Sequence, residues 1–315
     1  MNGAKLVIDV TYRCNARCRY CRWGDGNSSS RTDRSAAELC VDPTMLRAAS
    51  IERVVLSGGE PMLHSGLAVI LQHYRSAQIP QVVVITNGLV ATSSRLETCC
   101  SNGATGFAFS IDSSPDTDAT CARAMTCSQH KRIFRNLRDA GSLAKSHGIE
   151  LTVNCVLSAA NCTLGSIQRL AHNCAGCGAS EIKFQPVFDD GYLGDNAPEL
   201  ALGPEHADTI RAIGHDTSRW AIATNPIHFF ENVASVCEGR ILDGRSCSLD
   251  NNTLVLQNGG VVICPWISSN PAMTAADLPR LSSEFREAKQ SCTTGPQCFC
   301  LQPRNQTWRF RDANA

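Results

Sequence analysis

The chain carries no excess of charge of either sign: 29 basic and 29 acidic side chains leave a formal net charge of zero over 315 residues. No block of like charge stands out. A general nucleic-acid binder concentrates Lys and Arg, so that class is set aside. No apolar run approaches the length a bilayer requires, and the apolar stretch within residues 1–10 is too short for a signal peptide; it reads as a first strand. Internal repeats and low-complexity tracts are also missing. These absences predict a soluble, cytoplasmic globular protein with no membrane or nucleic-acid partner. Its 43% apolar content is enough for a sizeable core.

Cysteine departs in the other direction, with 18 residues. Without an export signal, reduced thiols and metal binding are a better reading than disulfides. Three of them, Cys14, Cys18 and Cys21, fall in Thr11-Tyr-Arg-Cys-Asn-Ala-Arg-Cys-Arg-Tyr-Cys21, spaced Cys-x3-Cys-x2-Cys directly after the first strand. Three thiolates this close grip one metal centre and leave a position open. A closed zinc site uses four protein ligands. An iron–sulfur cube held by three cysteines leaves one iron for an outside ligand. At the end of the next predicted strand stands Gly58-Gly59-Glu60-Pro61. Glycines there let the backbone approach a ligand closely, and a carboxylate accepts hydrogen bonds from a cationic amine.

The apolar pattern predicts strands over residues 6–10, 54–56, 81–86, 106–111, 150–157 and 181–185. Helices are predicted over 35–50 (interrupted at Pro43), 64–77, 93–101, 130–146 and 164–173. Six such units predict an α/β fold, a parallel sheet curled into a partial (β/α)6 TIM-type barrel with its chemistry at the C-terminal strand ends. After Pro186 the pattern changes: a loop over 187–203, a helix over 204–215, then a hairpin over 253–263 turned at Asn258-Gly259-Gly260, and a helix over 281–289. The chain is accordingly divided into a barrel over 1–190, a linker or helical segment over 191–235, and a small metal-stapled module over 236–315.

The cysteine triplet followed by the Gly-Gly-Glu-Pro turn resembles the radical S-adenosylmethionine (SAM) superfamily. The resemblance implies a SAM-binding 4Fe-4S cluster on Cys14, Cys18 and Cys21, with the amino and carboxylate groups of SAM on the open iron. It implies that Gly58, Gly59 and Glu60 meet the methionine part of SAM. It assigns SAM contacts to Asn87, Ser110 and Asp112 at later strand ends, to Asn154 on the fifth strand, and to Tyr20 beside the adenine. A reductant such as flavodoxin or ferredoxin follows, as does oxygen sensitivity.

The C-terminal cysteines resemble the SPASM auxiliary module in its shortened twitch form, which implies a second auxiliary 4Fe-4S cluster. Five thiols compete for four positions there: Cys247, Cys264, Cys298 and Cys300, with Cys292 able to replace one of the last two. If Cys264, Cys292, Cys298 and Cys300 hold the cluster, Cys247 stays free. Cys237 and Cys247 are the candidate hydrogen-atom donors. The Cys174/Cys177 pair has no matching partner pair and reads, with the other thiols, as small buried apolar residues.

Only thirteen residues precede Cys14, which favours a small molecule over a peptide with a leader-binding domain. The first expectation is therefore epimerisation of an amino sugar or aminoglycoside, as in the neomycin C epimerase type of antibiotic biosynthesis. Asp116, Asp118, Asp189 and Asp190 would receive substrate ammonium groups. The alternatives are a dehydrogenase of an aminocyclitol or sugar and a peptide-modifying enzyme. Outside enzymes, the alternative is a metal-binding scaffold or redox sensor.

Overall fold

A computed structural model describes residues 4–21, 33–115, 122–187, 197–240, 253–257, 260–262 and 275–279. Its frame is one nine-stranded sheet in the order β7-β6-β5-β4-β3-β2-β1-β8-β9. The strands are β1 (Ala4–Thr11), β2 (Ile51–Gly58), β3 (Gln81–Thr86), β4 (Gly106–Ser110), β5 (Glu150–Leu157), β6 (Glu181–Pro186), β7 (Ala223–Thr224), β8 (Thr253–Gln257) and β9 (Gly260–Val262). Strands β1 to β7 run parallel, each beside the next in sequence. This is the partial TIM-type barrel that alternating strands and helices predict.

The helices are α1 (Ala36–Leu39), α2 (Pro43–Ala48), α3 (Leu67–Ser76), α4 (Ser93–Ser101), α5 (Cys127–His147), α6 (Leu164–Gly176), α7 (Ala207–Asp216) and α8 (Ile227–Cys237). Pro43 splits the first predicted helix in two and stands at the first turn of α2, where its missing N–H costs nothing. Helix α5 starts earlier than the apolar pattern indicates because Thr126 and Gln129 form a reciprocal capping box, and Gly148 ends it in the left-handed conformation. No helix among the described residues is long and apolar enough to cross a membrane.

Side chains alternate across the strands and sort the chemistry. Leu6, Ile8, Val54, Leu56, Val82, Val84, Phe107, Phe109, Leu151 and Val153 point outward into the large core under the helices. Val55, Val83 and Ala108, with Val7 and Ile85 packed on them, form a small separate cluster on the inner face. One level towards the strand N-termini, Arg53 reaches Gln81 (2.9 Å) and Glu150 (3.0 Å). One level towards the C-termini stand Ser57, Ser110, Asn154 and Gln185. A charged end and an apolar waist thus close the barrel below a polar mouth.

Two features lie beyond the six predicted units. The two-residue strand β7 extends the sheet past β6, and α8 packs Phe229, Phe230 and Val233 into the main core. The predicted hairpin forms as an antiparallel β8–β9 pair, and β8 also lies parallel to β1, from Lys5↔Thr253 to Ile8↔Leu256. The hairpin is therefore continuous with the barrel sheet. The predicted helix over 281–289 lies outside the described residues.

Tyr74 of α3 is fully buried, donates to Leu39 O (2.6 Å) and accepts from Val41 N–H (3.3 Å), tying α3 to the chain between α1 and α2. Tyr74→Phe leaves both backbone groups buried and unpaired. We expect a loss of about 1–3 kcal/mol, read as a lower urea midpoint with an unchanged slope.

Candidate functional site

The chain leaves β1 at Thr11 and arches over the C-terminal ends of the strands. Residues 13, 15, 17 and 19 face outward, while Ala16, Cys18 and Tyr20 are buried and Cys14 and Cys21 half-buried. The arch sits on the β2 end through backbone bonds, Gly59 N–H to Thr11 O (2.6 Å) and Glu60 N–H to Arg13 O (2.8 Å). The approach is so close that a Cβ at Gly58 would lie 2.2 Å from Thr11 O, and one at Gly59 2.2 Å from Arg13 O. Gly58 also has φ +115°, which other residues rarely adopt. The two glycines therefore seat the cysteine loop as well as bordering the cavity beneath it.

That cavity, of about 270 Å³, is lined by Cys14, Cys18 and Cys21 together with Tyr20, Gly58, Gly59, Asn87, Ser110 and Asn154. Ser57, Ile85, Val156, Gln185 and Arg123 add to the wall, as do Ala16, Thr86 and Cys155, whose sulfur lies 3.8 Å from Asn161 Nδ2. Among the described residues, no three His, Cys, Asp or Glu side chains converge as ligands of a single metal ion would. The three cysteines share one cavity without closing on a point. Thiolates that each hold a different corner of a cube stand apart in this way.

N–H donors aim at the sulfurs. Ala16 N–H lies 3.4 Å and Asn87 Nδ2 3.7 Å from Cys14 Sγ, and Arg123 Nη1 lies 3.6 Å from Cys18 Sγ. Such bonds suit anionic sulfur. Burial nevertheless pushes the free Cys18 thiol up to about 12, with Arg123 opposing, and raises Cys14 as well. Loading a cluster must therefore expel protons from these thiols. The donor set fits a three-cysteine iron–sulfur cluster.

The predicted SAM-site residues divide into two groups. Glu60, Asn87 and Asp112 are committed to protein partners. Glu60 is fully buried and accepts from Asn87 N–H (2.7 Å) and Met62 N–H (3.2 Å); burial lifts its carboxyl to about 7. Asn87 Nδ2 donates to Asn15 Oδ1 (2.8 Å) on the arch. Asp112 accepts from Tyr20 OH (2.6 Å) and Val156 N–H (2.9 Å) and pairs with Arg123, whose Nε lies 3.0 Å from Oδ2 off the line of a hydrogen bond. Tyr20, predicted beside the adenine, thus spends its hydroxyl on Asp112. Ser110 and Asn154 face the cavity with no side-chain partner among the described residues, and they are free to meet a ligand.

Sequence reasoning missed Ser57, Gln185 and Arg123. The first two follow from alternation, two residues beyond Val55 on β2 and Lys183 on β6. Arg123 comes shortly after residues 116–121, which lie outside the described residues, and no local pattern marks it. Cys237 is buried at the end of α8 in the main core and does not line the cavity. Cys174 and Cys177 are core residues at the end of α6. Asp116, Asp118, Asp189, Asp190, Cys247, Cys264, Cys292, Cys298 and Cys300 lie outside the described residues.

Residues 8–157 match the family model described as the Radical SAM superfamily. Over 86 residues the chain is 34% identical to a probable GTP 3',8-cyclase of Methanothermobacter thermautotrophicus, covering 26% of this chain and 27% of that protein. It is 24% identical over 224 residues to a PqqA peptide cyclase of Streptomyces rochei, covering 69% of this chain and 58% of the relative. The chain spans between a quarter and three fifths of the length of these two curated relatives. Among solved structures, Streptococcus suis SuiB bound to S-adenosylmethionine superposes with a TM-score of 0.64 at 16% identity, covering 98% of this chain and 76% of that one. An anSMEcpe structure with bound AdoMet and a Cp18Cys peptide gives 0.62 at 15%, covering 95% and 92%. At these identities the likeness is one of fold.

Two outcomes follow from the site. Gly59→Ala forces the arch off the β2 end, so we expect iron content after anaerobic reconstitution to fall at least several-fold while far-UV dichroism is kept. Glu60 binds its proton more tightly folded than unfolded, so its share of stability falls as pH rises from 4.5 to about 7. Glu60→Gln should flatten that part of a denaturation-versus-pH curve of the apoprotein.

Proposed function

We propose that this chain, whose residues 8–157 match the Radical SAM superfamily model, is an enzyme that cleaves SAM reductively and removes a hydrogen atom from a substrate carbon. The observation that carries this reading is three thiols facing one cavity whose floor is ringed by unpartnered polar strand-end groups. Cys14, Cys18 and Cys21 would hold a 4Fe-4S cluster and leave one iron for SAM. A bound cluster with SAM supplies, on one-electron reduction, a 5'-deoxyadenosyl radical able to take hydrogen from an unactivated carbon.

The chain's own residues bind, orient and enclose. Glu60, Asn87 and Asp112 hold the cysteine arch in register with the strand ends. Ser57, Ser110, Asn154 and Gln185 offer hydrogen bonds to the nucleotide and substrate. Ala16, Ile85 and Val156 contribute apolar wall, which keeps water away from a reactive intermediate. The three thiols must surrender their protons as the cluster is installed.

For substrate class, the peptide-modifying reading gains support from the breadth of the match to a PqqA peptide cyclase. The described cavity wall adds to it. That wall carries one cation, Arg123, and no carboxylate, while the amides of Asn154 and Gln185 suit a peptide backbone. A polycationic amino sugar would need its counter-charges from Asp116, Asp118, Asp189 and Asp190. Epimerisation of an amino sugar stands as the second reading, favoured by the number of thiols between residues 237 and 300. Its hydrogen donor falls to Cys247, because Cys237 is buried away from the cavity. A second auxiliary 4Fe-4S cluster on the C-terminal cysteines is part of both readings.

The test is anaerobic reconstitution, chemical reduction with SAM, and chromatography for 5'-deoxyadenosine. We expect release from the wild type and none from Cys18→Ala, which should also lose about four iron atoms per chain. Zinc without iron in the wild type would favour the scaffold or sensor alternative. Deuterium uptake from solvent into an amino sugar would select epimerisation, a new carbonyl a dehydrogenase, and a mass change in a peptide the first reading.

A further inference from the structure

We propose that Arg123 sets the reduction potential of the cluster held by Cys14, Cys18 and Cys21, through a charged N–H···S bond to Cys18 that Asp112 holds in place. The inference rests on the cluster reading above and concerns a residue that no motif marks. Arg123 is buried in the cavity wall. One edge of its guanidinium meets Asp112, Nε 3.0 Å from Oδ2, and the other meets Cys18, Nη1 3.6 Å from Sγ. Its central carbon lies 5.8 Å from the centre of the Tyr20 ring, and Tyr20 donates its hydroxyl to the same Asp112 oxygen at 2.6 Å. The backbone is strapped as well: Arg19 N–H donates to Ala122 O (2.8 Å), one residue before Arg123 and one after Cys18.

The three cysteines are not treated alike. Cys14 receives its N–H bonds from Ala16 and Asn87, both neutral dipoles. Cys18 receives an N–H bond from a charged group, the guanidinium that is also paired with Asp112. One-electron reduction adds negative charge to a cluster already surrounded by anionic sulfur. A fixed cation on one sulfur stabilises the reduced form more than the oxidised one, so it raises the potential. Burial amplifies the effect by excluding water from the pair. Only a planar, two-edged cation spans carboxylate and sulfur together; a Lys ammonium is a single point. Arg123 acts through Cys18 and is a positioning residue in this proposal.

The test is an EPR-monitored redox titration of the full-length reconstituted protein, following the signal that changes on adding SAM. That choice separates this cluster from an auxiliary one. Wild type is compared with Arg123→Met, Arg123→Gln and Arg123→Lys, with iron content and far-UV dichroism measured for each. We expect the midpoint to move to more negative potential in the order Lys, Gln, Met, the last shift well outside titration error. An unchanged midpoint in variants with normal iron overturns the proposal. So does an unchanged midpoint with a lost response to SAM, which would assign Arg123 to the nucleotide. Loss of iron from all three variants with dichroism retained also overturns it, making Arg123 a support for the loop. A wild type with iron but no SAM-sensitive signal sinks the cluster reading itself, and this inference with it.

Discussion

The seat of the cysteine arch on the barrel end is the constraint from which the rest of the site follows. Two short backbone approaches, at Thr11 and Arg13, admit no side chain on residues 58 and 59. They fix the arch at the β2 end, and Asp112 fixes it again at the β4 end through Tyr20 and Arg123. Between these two anchors the thiols have nowhere to face but the cavity. A cluster held by Cys14, Cys18 and Cys21 would tolerate little play in this loop. The anchors are also inexpensive in sequence: two glycines, a carboxylate, a phenol and a guanidinium.

Much of this was legible beforehand. Strand–helix alternation predicted the first six parallel strands, since each strand needs apolar residues on its helix-facing side and each crossover needs a helix. The triplet and the Gly-Gly-Glu-Pro turn located both halves of the site. What strand-end position alone left open was whether a polar residue faces the ligand or the protein. Asn87 and Ser110 look equivalent in sequence, each closing a strand. Yet Asn87 is drawn to Asn15 and Cys14, while Ser110 stays unpartnered over the cavity. That difference depends on where the arch passes, a long-range fact. Strand β7 was missed because two residues carry no periodicity, and the β8–β1 pairing because register between distant strands leaves no local mark.

The inner face of the barrel decides where the cavity can be. Its waist is filled by Val55, Val83 and Ala108, small enough to pack a narrow barrel and apolar enough to need no partners. Below it, Arg53 and Glu150 satisfy each other across β2 and β5. Above it, the inward positions of β2, β4, β5 and β6 turn to Ser, Ser, Asn and Gln. A neutral polar ring of this kind binds by hydrogen bonds and imposes no net charge on its ligand. The charge of the site is then set elsewhere, by Arg123 and by whatever the cluster and nucleotide bring.

That separation bears on how one barrel serves different reactions. The residues that hold the arch are buried and mutually bonded, so changing one costs the others their partners. The ring side chains have no hydrogen-bond partner among the described residues, so changing one should disturb the fold little. On the proposed reading, ligand preference can change at Ser57, Asn154 and Gln185 while the three cysteines of the arch are kept. GTP 3',8-cyclases and PqqA peptide cyclases are both among the relatives that this chain resembles in part. The physical reason is that the two tasks use opposite resources, a closed hydrogen-bond network for the cage and unsatisfied polar groups for the ligand.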